Sequence, residues 1–161
     1  MIDLATPLLA IDVGRGTQDI LVYEPGRSIE NSIKLVLPSP TVVVAGKIRQ
    51  ATRAALPVFL DGSLMGGGAN TGAIRKHLAQ GLPVYATPGA AGTLHDDPEK
   101  VRAMGVGIRE TPPEDAVVVR TTDYMRSEIE SALSLFGVGY PESVAVAVQD
   151  HGYSPHRSNR I

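Results

Sequence analysis

The 161-residue chain has the length of one ordinary domain, with 43% hydrophobic and 20% charged residues, a globular rather than a disordered balance. It contains no cysteine, which excludes disulfides, thiolate metal sites and cysteine-held iron–sulfur clusters built from its own residues. A net charge of −2 offers no global positive field for nucleic acid, and no apolar run approaches the roughly 20 residues of a membrane span, so the sequence reads as a cytoplasmic protein.

Pro7 to Val13 is an apolar run ending at Asp12 and then glycines, which predicts a buried strand. Gly14 to Thr17 is a turn, and Asp19 to Glu24 returns as a second strand, an antiparallel hairpin. The alternation of Ile33, Leu35 and Leu37 predicts a third strand over 31–37. Ser39 followed by Pro40 is a helix start, with Val44, Ile48, Ala51 and Ala55 at helical spacing. A buried strand over 56–60 ends at Asp61, a helix over 70–80 is closed by Gly81, and a short strand covers 83–86. Residues 88–93 read as a loop, and 98–104 as a short helix capped by Asp97 and stopped by Gly105. A strand over 116–119 precedes a helix capped by Thr122 or Asp123, whose stripe is Met125, Ile129, Ala132, Leu133 and Phe136. A last strand over 143–148 leads into a polar stretch, 151–161.

Three antiparallel strands followed by helix–strand alternation imply an α/β fold with one mixed sheet and helices on both faces. A ribonuclease-H-like lobe over residues 1–150, with a polar tail behind it, has this order. The densest chemistry is Asp12-Val13-Gly14-Arg15-Gly16-Thr17. An acid leaving a strand can hold Mg²⁺, Gly14 and Gly16 let backbone amides face an anion, and Thr17 adds a hydroxyl. The same residues also suit an ordinary tight hairpin. Asp61 with Gly66, Gly67 and Gly68 forms a second group. If the first and fourth strands are neighbours, Asp12 and Asp61 share one sheet end and one cation, and the glycines admit an anion to the following helix. Its alternative is a plain strand-to-helix connection.

Leu9 to Asp19 resembles the first phosphate motif of the superfamily of sugar kinases, Hsp70-type chaperones and actin. The segments 9–19, 61–68, 85–98 and 149–152 together resemble a family of uncharacterised archaeal proteins labelled as related to the pyruvate formate-lyase activating enzyme. The superfamily resemblance implies an ATP- or phosphate-ligand-binding lobe with Mg²⁺, an actin-like ATPase or phosphotransferase that takes a nucleotide or a phosphorylated small molecule. Catalysis would then rest on Asp12 and Asp61, and phosphate contacts on Gly14, Gly16 and Thr17. The radical chemistry in the label needs a three-cysteine motif, which a chain without cysteine does not provide.

Two other classes remain open at this point. A metal-dependent nuclease on the same scaffold would add Asp150 to Asp12 and Asp61, and a non-catalytic interaction domain would need none of them. Asp150-His151 offers a general base after the last strand. His95 beside Asp96 and Asp97 resembles a metal patch, although Asp97-Pro98 is better read as a helix cap. His77, within a helix, reads as structural. No second Asp-x-Gly-x-Gly-Thr segment follows Asp19, so the sequence predicts a truncated or split lobe completed by a second lobe, or a homodimer.

Overall fold

The structure, a computed structural model, describes residues 5–63 and 65–149. In chain order its elements are β1 (Leu8–Val13), β2 (Thr17–Tyr23), a 3₁₀ turn at Ile29–Asn31, β3 (Ile33–Pro38), α1 (Pro40–Arg53), β4 (Val58–Gly62) and α2 (Gly68–Ala79). There follow β5 (Val84–Ala86), α3 (Pro88–Ala91), α4 (Pro98–Ala103), β6 (Val106–Ile108), β7 (Val117–Thr121), α5 (Arg126–Ser134) and β8 (Ser143–Ala147). The mixed α/β class is as expected, but the single sheet is not. The strands form two four-stranded sheets, β3-β2-β1-β8 and β6-β5-β4-β7, and the chain divides into two compact units. The first unit runs to Ser39 and resumes over Tyr124–Gln149; the second is Pro40–Asp123.

In the first unit β2 is antiparallel to both of its neighbours, and β8 lies parallel to β1. Strand alternation sends Leu9, Ile11, Ile20 and Val22 to one face, where they pack with Ile129 and Leu133 of α5. The other face is exposed. There Ala10, Asp12, Asp19, Leu21, Val36 and Ala145 line a shallow groove of about 730 Å³. The stripe expected to end at Phe136 ends at Leu133, because α5 stops at Ser134 and Gly137 turns the chain with φ +71°. Phe136 is left 78% exposed. The N-terminus of α5 also differs from expectation: it begins at Arg126 behind Met125, without a side-chain cap.

In the second unit every strand pair is parallel. Val58, Phe59 and Leu60 are all buried, as a strand covered on both faces requires. Val58 and Leu60 join Val44 and Ile48 of α1, Ile74 of α2, Val84 and Val119 in one core. Gly81 and Gly105, with φ +75° and +92°, follow the helices that the sequence ends with them. The loop expected over 88–93 instead opens with α3, whose Ala90 amide donates to the Thr87 hydroxyl. No helix among the described residues is long and apolar enough to cross a membrane.

Candidate functional site

The β1–β2 hairpin turns through Gly14, Arg15 and Gly16. The Gly14 amide donates to the Thr17 carbonyl at 2.9 Å, and a Cβ at Gly14 would lie 2.9 Å from that same oxygen, so the turn needs glycine for closure. Ser39 then fixes the far side of the loop. Its amide donates to the Gly16 carbonyl and its hydroxyl to the Arg15 carbonyl, both at 3.0 Å. The hydroxyl predicted to cap α1 therefore serves the hairpin. With those carbonyls engaged, the amides of Arg15 and Gly16 make no hydrogen bond among the described residues. Among the described residues nothing lies within 4 Å of where a Gly16 Cβ would stand, so the backbone there is open to approach.

The turn also sets the register, and the register pairs Asp12 with Asp19 directly across β1 and β2. Both are exposed, and both stand on the groove face, on which strand alternation also places Thr17. Like charges directly opposite on antiparallel strands repel, so this pair costs stability unless a cation lies between them. Gln18, on the other face, is 3% exposed; its Nε2 donates to the Pro38 carbonyl at 3.0 Å, and its Oε1 has no partner among the described residues.

Asp61 is not on a strand that pairs with β1. The parallel neighbour of β1 is β8, with Asp12 in register with Ala147, whereas β4 pairs with β5 and β7. The expectation that Asp12 and Asp61 are brought together on adjacent strands is therefore corrected. Asp19 is the second carboxylate beside Asp12. It could have been found by counting outward from a turn centred on Arg15 and Gly16. Asp150 and His151 lie outside the described residues.

In the second unit the strand order reverses between β4 and β7, the kind of switch point where open α/β sheets receive ligands. Asp61, in register with Arg120, and the glycine loop stand at that sheet end. The loop is held by side chains along its length. Thr121 Oγ1 donates to the Ser63 carbonyl at 2.7 Å, the Met65 amide to Thr93 Oγ1 at 3.1 Å, and the Gly66 amide to the Asp123 carboxylate at 3.2 Å. Asn70 Nδ2 and Thr71 Oγ1 donate to the carbonyls of Gly66 and Gly67. Asp123, predicted as a cap for α5, serves this loop. Gly68 has φ +28°, and a Cβ there would sit 3.0 Å from the Thr41 hydroxyl. Among the described residues no three His, Asp or Glu side chains gather as a metal cluster.

His95 Nδ1 accepts the Asp97 amide at 2.9 Å, and Asp97 Oδ1 caps α4 by accepting the Glu99 amide at 2.9 Å, as predicted for Asp97. His77 is fully buried. Its Nδ1 lies 2.8 Å from Thr52 Oγ1 and its Nε2 3.3 Å from the Pro83 carbonyl, and burial pushes its pKa down.

The molecule is thus a mixed α/β protein with an acid pair beside an open hairpin in one unit and a side-chain-laced glycine loop in the other. It belongs to the family described as "Putative pyruvate format-lyase activating enzyme (DUF1786)", whose model matches residues 65–161, more than half of the chain. No curated protein matches the chain. The activity in the family's description calls for a cysteine-held iron–sulfur cluster, and this chain supplies no thiolate, so its residues do not fit that group.

Proposed function

We propose that the first unit is a ribonuclease-H-like lobe that binds a phosphate-bearing ligand together with Mg²⁺ at the β1–β2 hairpin, in the manner of the sugar kinase, Hsp70 and actin superfamily. The strand order β3-β2-β1-β8, with β8 parallel to β1, supports the fold part of this reading. The observation that carries the functional part is the juxtaposition of Asp12 and Asp19, two exposed carboxylates one hairpin turn away from two amides that make no hydrogen bond among the described residues.

Two hard oxygen donors suit Mg²⁺, which commonly takes one or two carboxylates and completes its shell with phosphates and water. The cation, when bound, neutralises phosphate charge. Asp12 and Asp19 hold it, the amides of Arg15 and Gly16 donate to phosphate oxygens, and the Thr17 hydroxyl adds a third donor. The Gly66–Gly68 loop is a separate candidate, and a ligand there would have to displace Asp123 from the Gly66 amide.

The test is thermal unfolding with Mg²⁺ alone and with Mg²⁺ plus ATP, ADP or inorganic phosphate. A ligand at a hundred times its Kd stabilises by about 2.7 kcal/mol, or roughly 5–10 °C for a chain of this size. The shift should vanish in Asp12→Asn. A shift that survives this substitution, or no shift with any of the three ligands, overturns the proposal.

A further inference from the structure

The second unit carries a small pocket of about 180 Å³ at the carboxyl edge of β5 and β6. Pro88, Ala91, Pro98 and Ile108 form its apolar walls, and His95, Asp96 and Arg102 supply its polar groups. At about 30 Å³ for each water-sized group, it holds roughly six non-hydrogen atoms.

The hydrogen bonds around His95 define what it offers. Because Nδ1 accepts the Asp97 amide, the neutral ring carries its proton on Nε2, and the nitrogen that Asp97 does not hold is a donor. A metal at Nε2 would need that proton moved to Nδ1, against the Asp97 amide. Arg102 engages Glu99 through Nη1 at 2.6 Å in an exposed ion pair, which leaves its other guanidinium N–H groups for a ligand. Two donor side chains in one lining with apolar walls suit a small anion. The apolar walls narrow the class further, because a phosphate dianion brings four oxygens that need polar partners, whereas a monocarboxylate brings two and an apolar end.

We propose that this pocket binds a monocarboxylate of three or four carbons. Its carboxylate meets Arg102 and His95 Nε2–H, and its alkyl end lies against Pro88, Ala91 and Ile108. The site is independent of the hairpin proposed to bind phosphate.

Calorimetric titration of the full chain with lactate, propionate and inorganic phosphate tests it. The expected result is saturable binding of the two carboxylates with Kd in the millimolar range, tighter than phosphate, and weakened about tenfold or more in Arg102→Met. Arg102 is an exposed residue, so this variant should fold, which circular dichroism checks. His95→Phe, which keeps the bulk and removes the donor, should weaken binding as well. Phosphate binding more tightly than the carboxylates, affinity unchanged in both variants, or no saturable binding would each overturn the proposal.

Discussion

The two glycine-rich turns of this protein look alike in composition and behave oppositely. At the β1–β2 hairpin, Ser39 engages the carbonyls of the loop and leaves the Arg15 and Gly16 amides without hydrogen bonds among the described residues. At residues 62–68, Thr121, Thr93, Asp123, Asn70 and Thr71 engage the backbone from several sides, and Asp123 already holds the Gly66 amide. The sheets beneath them differ in parallel fashion. The mixed sheet keeps one face exposed and places two acids there, whereas the parallel sheet buries both faces of β4. Glycine content therefore marks where backbone comes close to something. Whether that something is the protein itself or a ligand depends on which amides remain open.

The sharpest way to break this contrast is to add one methyl group to each loop. Gly62 has φ +125°, and a Cβ there would stand 2.3 Å from the Thr121 carbonyl oxygen. Gly62→Ala should cost about 3 kcal/mol or more, because strain and a backbone clash add together. Gly16→Ala, with nothing within 4 Å, should change stability by no more than about 0.5 kcal/mol. Urea unfolding of both variants checks the difference; equal losses would show that the hairpin glycine is as structural as the loop glycine.

That difference was only partly legible in the sequence. The alternation of apolar residues over 8–37 reveals three strands and their inward faces, because period 2 survives wherever one face is exposed. The segments at 56–60 and 143–148 both read as strands, and nothing local says which one pairs with β1. That choice depends on which helices each sheet buries. β6 is three residues long and contains Gly107, where a Cβ would meet the Tyr85 ring at 2.8 Å, so its glycine reflects close packing rather than a turn. Ser39 and Asp123 carry two local meanings each. Both sit where a helix cap is expected, yet both bind loops distant in sequence, at Arg15 and Gly66 respectively.

A smaller effect separates the units through pH. His77 in the second unit is buried between Thr52 and the Pro83 carbonyl, and its pKa lies below the ordinary 6.5 because burial disfavours the imidazolium. The unfolded chain therefore takes up this proton more readily than the folded one. Stability should be full above about pH 6.5 and decline as pH falls from there toward the lowered value in the folded state. Urea midpoints between pH 7.5 and 5 should show this decline, and it should be shallower in His77→Gln. An equal decline in the variant would place the sensitive group elsewhere.

The smallest expected stability effect bears most directly on function. Asp19 faces Asp12 across the hairpin, with both side chains exposed and neither in an ion pair among the described residues. Asp19→Asn removes one of two opposed charges while keeping the shape of the side chain. It should raise stability by about 0.2–1 kcal/mol at low salt, with a smaller gain as salt screens the pair. The same substitution should reduce or abolish the stabilisation by Mg²⁺ with a phosphate ligand. A variant that is more stable alone and less responsive to the cation would mean that the acid pair is held at a cost to the fold and relieved by what it binds. A variant that loses stability without ligand would show instead that Asp19 is engaged within the hairpin, and the likeness between the two glycine turns would then extend to their chemistry.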